Sequence, residues 1–268
     1  MSYVSIIIGF GYGRDSNSFS FVKKDILTIR DMVRKSKGFS IILTDLEDES
    51  GNILIDECDD TRVVKVDSKE LMISYIESFE LILESRILVY YTGHGDLIDQ
   101  DGNGDSSMRF PNGDRYPLSN LRDLIAKNVD VSAEILFILD CCYSGGLMLP
   151  YRLSSGGRFK LDSLEKPAVP LILCLSSSGV GQRSMAVVEG SIFTKHITAA
   201  LTSGIKNLQT LMKVILSKTI SEGVNDEQTM CVYCSYPITP IIYTWITNPN
   251  INIYINNPTS CLVIEENA

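Results

Sequence analysis

The sequence predicts an α/β fold in which a mostly parallel central sheet carries helices on both faces. Short uncharged runs rich in Ile, Val and Leu alternate along the chain with segments whose apolar residues recur at helical spacing. Parallel strands buried on both faces have apolar runs of this kind, and each needs a crossover connection to reach its neighbour. The alternation therefore favours a sheet that is covered by helices on each side.

Six short apolar runs are predicted to be the strands of this sheet. They occupy residues 4–8, 41–44, 87–91, 135–139, 171–175 and 230–233. The first run passes directly into Gly9, Gly11 and Gly13, and the third breaks at Gly93, which is typical of a buried strand that feeds a turn. Side chains that follow such strands leave the core and become available for chemistry.

Five segments with apolar residues near helical spacing are predicted to be helices. They occupy residues 21–37, 71–82, 118–125, 193–201 and 208–217. Gly38 directly follows the first segment and predicts the end of that helix. Residues 147–170 are rich in Ser, Gly and basic side chains and show no apolar periodicity, so we expect a long exposed loop there. Residues 241–264 are predicted to be β or irregular structure.

Composition and charge argue against several classes of protein. A chain of 268 residues with 44% hydrophobic residues is typical of one large globular domain or two small ones. The net charge of −9 disfavours nucleic-acid binding. The apolar runs are far shorter than the ~18 residues of a membrane span, and the first residues show no secretory signal. We therefore expect an intracellular, cytoplasmic protein with no nucleic-acid or membrane partner.

The seven cysteines follow no regular framework. An odd number of cysteines without a signal peptide favours free thiols in a reducing compartment. Cys231 and Cys234 form a CxxC, but no second pair or nearby histidine accompanies them. This spacing therefore favours two strand cysteines over a zinc or redox site.

Two predicted strands end in side chains that are capable of covalent chemistry. The third strand is followed by His94 between two glycines, and the fourth is followed by Cys141 and Cys142. Sites of open α/β sheets lie at the carboxyl ends of the strands, so a histidine and a cysteine there can form a base and a nucleophile. Each motif alone is more often structural, and only their occurrence together indicates a catalytic pair.

Together and in this order, the two motifs resemble those of the caspase-like cysteine peptidases. Residues 91–95, Tyr-Thr-Gly-His-Gly, are similar to the Tyr-Ser-Gly-His-Gly of the metacaspase and paracaspase branch. Residues 140–145, Asp-Cys-Cys-Tyr-Ser-Gly, are similar to its Asp-Ser-Cys-His-Ser-Gly. Weaker similarities occur at residues 43–45, 191–194 and 228–229, so the resemblance covers about residues 3–238. It implies a caspase-like sandwich fold.

The resemblance also implies a set of site residues. Cys142 would be the nucleophile, His94 the base, and Cys141 a packed thiol. The backbone N–H groups of Gly95 and Cys142 would stabilise the oxyanion. The first specificity pocket would hold the residues that match the family's pocket positions, which are Asp140, Asp25 and Thr92. A buried carboxylate at Asp140 would attract a substrate Arg or Lys and repel a substrate Asp.

The predicted organisation is a single peptidase domain over residues 1–268, without a prodomain. It divides into a large-subunit-like part (1–146), a linker loop (147–170), a small-subunit-like part (171–240) and a C-terminal extension (241–268). The linker contains four basic residues, Arg152, Arg158, Lys160 and Lys166. Since family members often carry processing sites there, an enzyme specific for basic residues is expected to cut its own linker near residue 155. A linker that stays intact is the alternative, because the family also includes single-chain enzymes.

Calcium binding is the open question among cofactors. Oxygen-bearing side chains at alternate positions, followed by a turn glycine, resemble the first half of a Ca²⁺ loop; they are Asp99, Asp101, Asn103 and Asp105. Phe110 stands where the closing carboxylate is needed. A solvated acidic turn is therefore favoured, and we expect no required cofactor, with Ca²⁺ at this turn as the alternative.

The sequence leads to a cysteine endopeptidase that cuts after Arg or Lys, with two alternatives. One is a catalytically weak caspase-like scaffold that binds a partner, since Tyr143 replaces the family's usual histidine. The other is an Asp-specific caspase, which the charge of Asp140 disfavours. The expected partners are peptides or proteins with basic residues, and a monomer is slightly favoured over an oligomer.

Overall fold

A computed structural model describes residues 3–13, 20–79, 81, 86–98, 105–145, 147–161, 170–187, 189–205, 207–223 and 228–237. Fourteen strands lie in these residues: β1 Val4–Gly9, β2 Phe39–Thr44, β3 Thr61–Lys65, β4 Arg86–Thr92, β5 Gly95–Leu97, β6 Ser106–Arg109, β7 Arg115–Pro117, β8 Glu134–Asp140, β9 Tyr151–Leu153, β10 Phe159–Leu161, β11 Leu171–Ser176, β12 Ala186–Val187, β13 Gly190–Ser191 and β14 Cys231–Cys234. The described helices are α1 Val22–Lys35, α2 Lys69–Ser78, α3 Leu118–Lys127, α4 Ile192–Thr202 and α5 Leu208–Ser221.

Nine strands form the central sheet, in the order β10-β9-β14-β11-β8-β4-β1-β2-β3. The six strands from β11 to β3 pair in parallel, whereas β14, β9 and β10 continue the sheet as antiparallel strands. The prediction of a mostly parallel sheet is confirmed. Cys231 and Cys234 begin and end β14, and both are buried free thiols, as the sequence predicted.

Helices cover both faces of the sheet, because successive residues of a buried strand point to opposite sides. In β1, Ile6 and Ile8 lie in the core cluster that contains residues of α2 and α3. Ile7, between them, lies in the cluster that contains residues of α1, α4 and α5. All three isoleucines are fully buried, and each contributes about 1.5–3 kcal/mol to the stability of the fold.

The first helix ends where the sequence predicted, although a different residue takes the special backbone conformation. Lys37, not Gly38, has the left-handed conformation, with φ of 58°. The amide of Gly38 donates to the carbonyl of Val33 at 3.1 Å, which closes the helix end as a Schellman motif does. Gly38 is required by close packing instead, since a Cβ there would lie 2.8 Å from Val33 and 2.9 Å from Tyr3.

The predicted exposed loop at 147–170 is wrong for residues 151–161. Those residues form the hairpin of β9 and β10, and β9 pairs with β14 in the central sheet. The hairpin turn is fastened to α5, because Gln209 donates through Nε2 to the carbonyl of Ser155 at 2.6 Å. Strands of three residues are too short for the alternation of buried and exposed side chains to be recognised in the sequence. The pairing of β9 is decided instead by the edge of β14 that β11 leaves open. Residues 162–169 and the predicted extension at 241–268 lie outside the described residues.

Three further features were not predicted. Strand β3 extends the sheet beyond β2, the short strands β5, β6 and β7 form a small sheet after His94, and β12 and β13 form a hairpin before α4. In the described part of the chain, no helix is both long enough and apolar enough to cross a bilayer.

Candidate active site

The register of the central sheet brings the two sequence motifs to one place. Strands β4 and β8 are neighbours, and Thr92 pairs with Asp140 at their carboxyl ends. His94 lies two residues beyond Thr92, and Cys142 lies two residues beyond Asp140. The two loops that leave the sheet at this edge therefore carry the predicted base and the predicted nucleophile.

The two loops touch through the backbone at Gly95. A Cβ added at Gly95 would lie 1.9 Å from the carbonyl oxygen of Cys142 and 3.1 Å from the Sγ of Cys141. No side chain fits in this space, so the glycine after His94 is required by the close approach of the cysteine loop. This contact supports the predicted pairing of His94 with Cys142.

The adjacent cysteines have different surroundings. Cys141 is 2% exposed, and burial raises the pKa of its thiol well above the ordinary value. Cys142 is only half-buried, and its Sγ lies 3.9 Å from the carbonyl oxygen of Ser184. The next residue, Tyr143, has a φ of 60°, so the chain turns sharply directly after Cys142. A packed Cys141 and an accessible Cys142 are the arrangement that the motif predicted.

A pair of serines holds the cysteine loop in place. The amide of Ser144 donates to Oγ of Ser178 at 3.2 Å, and the amide of Ser178 donates to Oγ of Ser144 at 3.0 Å. The Ser178 hydroxyl lies 3.1 Å from the carbonyl of Cys141, and the amide of Tyr143 donates to the carbonyl of Gln182 at 2.7 Å. The run of three serines at residues 176–178, which begins with the last residue of β11, is the one signal in the sequence for these contacts, and they were not predicted.

The backbone of His94 is also held by several donors and acceptors. Its amide donates to the Tyr12 hydroxyl oxygen at 2.6 Å. Its carbonyl accepts from the Tyr91 hydroxyl at 2.6 Å and from the amide of Arg109 at 3.2 Å. The ring of Tyr12 also packs against the imidazole, with centroids 4.4 Å apart. None of these partners was predicted from the sequence.

Asp140 is buried next to the first turn of α4 and accepts several hydrogen bonds there. Its carboxylate accepts from the Ser184 hydroxyl at 2.8 Å and from the Ser191 hydroxyl. It also accepts from the Thr194 amide at 3.1 Å and the Thr194 hydroxyl at 2.7 Å. The Thr194 amide is one of the donors that the start of a helix leaves without an intrahelical partner. Asp140, the last residue of β8, accepts from this amide and so caps α4.

Asp25, on α1, is buried close to Asp140. Its carboxylate accepts from the amide of Ser191 at 2.9 Å and from the hydroxyl of Thr92 at 3.3 Å. Burial and the charge of Asp140 raise the pKa of Asp25 to about 8. Burial also raises the pKa of Asp140. The structure therefore brings together the predicted Thr92, Asp25 and Asp140, and it adds Ser191, which contacts both carboxylates.

Among the residues that the structure describes, no Lys or Arg forms an ion pair with Asp25 or Asp140. Two buried carboxylates without such a partner form an unfavourable arrangement at neutral pH. A guanidinium or ammonium group that enters the pocket would remove both the repulsion and the raised pKa. A positively charged group beside this pair of acids would therefore stabilise it.

The predicted acidic turn is described only at its last residue. Asp99, Asp101 and Asn103 lie outside the described residues. Asp105 accepts hydrogen bonds from the amide and the hydroxyl of Ser119 in the first turn of α3, and burial raises its pKa. Among the residues that the structure describes, no three His, Cys, Asp or Glu side chains are grouped to hold a metal ion.

The fold and the sequence motifs of this chain match those of a known protein family. A family model described as the caspase domain matches residues 4–239 of the chain. A paracaspase from Dictyostelium discoideum is 25% identical over 129 residues, which make up 47% of this chain and 29% of the paracaspase. The match thus spans less than a third of the length of this curated relative.

Two solved structures are similar to the model. A protein from Geobacter sulfurreducens gives a TM-score of 0.58 at 14% identity, over 87% of this chain and 93% of that protein. Caspase-1 from Spodoptera frugiperda gives a TM-score of 0.58 at 13% identity, over 94% of this chain and 92% of the caspase. At these identities the likeness concerns the fold alone.

Proposed function

The chain belongs to the caspase-domain family of cysteine peptidases, and from this premise we propose that it is a metacaspase-type endopeptidase that cuts after Arg or Lys. The membership and the shared fold confirm the family resemblance and the caspase-like sandwich predicted from the sequence. Three points are part of the proposal: that the enzyme is active, that Cys142 and His94 form its catalytic dyad, and that it prefers a basic residue at the cleaved position.

One observation carries the proposal: Asp25 and Asp140 are buried side by side next to the loop of Cys142. Asp140 is two residues before Cys142, and Ser184 joins the two sites, since its hydroxyl donates to Asp140 and its carbonyl lies near the Sγ of Cys142. A substrate side chain in this pocket would bring the following peptide bond to the thiol. With two carboxylates in the pocket, that side chain would be cationic.

In the proposed reaction, the Cys142 thiolate attacks the carbonyl carbon of the peptide bond after the basic residue. His94 takes the thiol proton and passes it to the leaving amine, which breaks the C–N bond. The amides of Gly95 and Cys142 would donate to the oxyanion. Water then hydrolyses the thioester, and the thiol is restored. The contact between Gly95 and the Cys142 loop supports this arrangement.

A panel of fluorogenic peptides that differ only at the cleaved residue tests the proposed function. We expect turnover with Arg or Lys and at least ~100-fold less with Asp, because a carboxylate would enter an anionic pocket. Faster turnover of the Asp peptide would establish the Asp-specific alternative. No turnover of any peptide by folded protein would favour the scaffold alternative. The panel repeated with a chelator tests the proposal that catalysis needs no cofactor, against a Ca²⁺ site at the acidic turn.

Self-cleavage of the linker is a second proposed property, and the hairpin of β9 and β10 limits where the linker can be cut. Arg152 and Lys160 lie in paired strands, and Arg158 ends the turn that α5 holds. An extended, accessible segment is needed for cleavage, so the remaining candidate is Lys166, outside the described residues. We expect active protein to give fragments of about 18 and 11 kDa by intact-mass measurement, and Cys142→Ala to stay whole. Wild-type fragments cut within 151–161 would contradict this placement.

The proposed substrates are proteins or peptides with accessible basic residues, which the net charge of −9 also attracts. All six cysteines among the described residues are free thiols, which supports the proposed location in a reducing compartment of the cell. A monomer without nucleic-acid or membrane partners remains the prediction from the sequence.

A further inference from the structure

Tyr12 occupies an unusual position beside the proposed base. It lies in the loop that follows β1, and β1 is the strand next to β4 in the sheet. Its φ is 60°. A left-handed conformation is unfavourable for a residue with a bulky side chain and persists where surrounding contacts enforce it. The reaction proposed above assigns no part to this residue, so its strain calls for an explanation.

The contacts that enforce this conformation come from Asp45, just after β2. The Asp45 carboxylate accepts from the amide of Gly11 at 2.6 Å through Oδ1 and from the amide of Tyr12 at 2.8 Å through Oδ2. Asp45 is 8% exposed, so water competes little for its carboxylate and these hydrogen bonds are strong. The carboxylate therefore holds the β1 loop in the turn that points the Tyr12 side chain toward His94.

The side chain of Tyr12 contacts His94 in two ways. Its hydroxyl oxygen accepts from the His94 amide at 2.6 Å, and its ring packs at 4.4 Å from the imidazole. The same hydroxyl donates to the carbonyl of Arg109 at 2.9 Å, and the Arg109 amide donates to the carbonyl of His94 at 3.2 Å. Hydrogen bonds thus form a closed ring through Tyr12, Arg109 and His94.

We propose that Tyr12, held by Asp45, is a positioning residue that orients the His94 imidazole toward the Cys142 thiol. This inference rests on the proposed function in one respect, the assignment of His94 as the base. The hydroxyl fixes the backbone of His94, and the ring limits the rotation of the imidazole on one side. Misplacement of a catalytic group by about 1 Å can cost ~100-fold in rate, so such support has a kinetic consequence.

Tyr12→Phe tests the proposal, because it keeps the ring and removes only the hydroxyl. We expect kcat on an Arg peptide to fall ~10–100-fold while KM stays within about twofold, since the contacts of Tyr12 do not include Asp25 or Asp140. Tyr3→Phe is the matched control. It removes another buried tyrosine hydroxyl at the opposite end of β1, and we expect kcat to stay at the wild-type level.

A second measurement needs no peptide turnover. Thiolate is the form of cysteine that iodoacetamide alkylates, so the alkylation rate of Cys142 at pH 6.5 reports how well His94 accepts the thiol proton. We expect this rate to fall ~10-fold in Tyr12→Phe, and the exposed Cys58 of the same chain to react at its wild-type rate. Peptide mass spectrometry distinguishes the two cysteines.

The outcomes separate this proposal from the proposed function. A wild-type alkylation rate of Cys142 in folded Tyr12→Phe overturns the positioning role, whether or not any peptide is cleaved. Wild-type protein that cleaves no peptide contradicts the proposed function, while the alkylation rates still decide the role of Tyr12. If Tyr12→Phe does not fold, Asp45→Asn takes its place. We expect it to slow alkylation of Cys142 ~3-fold or more, and an unchanged rate overturns the proposal.

Discussion

Cys142→Ala is expected to lower kcat/KM on an Arg peptide by at least ~10⁴-fold, because it removes the proposed nucleophile. His94→Ala is expected to be similarly inactive, since the thiol and the leaving amine then lack a proton carrier. Progress curves at enzyme concentrations matched by absorbance provide the measurement. Substantial turnover in either variant would contradict the dyad.

The neighbouring cysteine offers a matched control for this prediction. Cys141→Ala makes the same chemical change one residue earlier, at a thiol that is 2% exposed and lies in the core. We expect this variant to keep kcat/KM within about threefold and to lose about 1 kcal/mol of unfolding free energy, because a small cavity replaces the sulfur. Equal losses of activity in the two variants would mean that the motif does not identify the nucleophile.

The second large effect concerns the two pocket acids. Asp25→Asn and Asp140→Asn are each expected to lower kcat/KM on Arg and Lys peptides ~100-fold or more, since each removes one charge that faces the cationic side chain. Turnover of an otherwise identical peptide with a neutral residue at that position is the reference. A uniform loss on all peptides would indicate damage to the dyad instead of to specificity.

The two substitutions are expected to have opposite effects on stability. Asp25 has a pKa of about 8 in the folded protein, so the folded state binds one proton more than the unfolded state between about pH 4 and pH 8. Stability therefore falls as the pH rises through that window. Asp25→Asn removes this cost and is expected to raise the unfolding free energy by about 2 kcal/mol at pH 7. Asp140→Asn is expected to lower it by about 1–2 kcal/mol, because an amide NH2 group replaces one of the two carboxylate oxygens that accept hydrogen bonds from Ser184, Ser191 and Thr194.

The pH profile gives a further check on Asp25. Only its ionised form attracts a cation, so kcat/KM for an Arg peptide should rise with pH in the wild type, with a midpoint near pH 8. Asp25→Asn should lack this rise. Thermal unfolding at several pH values, measured beside the kinetics, tests both consequences of one ionisation. A wild-type pH profile in the variant would show that Asp25 does not face the substrate.

The sequence by itself determined the class of fold and indicated where the proposed site lies. Apolar runs alternating with amphipathic segments predicted the parallel sheet, because burial on both faces leaves a local signal in each strand. His94 and the two adjacent cysteines were singled out for a related reason, since each comes within three residues of the end of such a run, and the family resemblance then selected Cys142. The roles proposed for Asp25 and Asp140 also came from the family resemblance, since nothing local distinguishes Asp25 from an ordinary acid in the first turn of a helix, or Asp140 from an ordinary residue at a strand end.

The tertiary structure alone decided which residues support these groups. Apart from Tyr91, the partners of His94, Cys142 and Asp140 come from strands and loops that are distant in the sequence. No local pattern links Tyr12 to His94 or Thr194 to Asp140. The hairpin of β9 and β10 was missed for the same reason, because its pairing depends on the free edge of β14. Periodicity records whether a side chain is buried, whereas the identity of its neighbour depends on strand order and register, which form only when the sheet assembles.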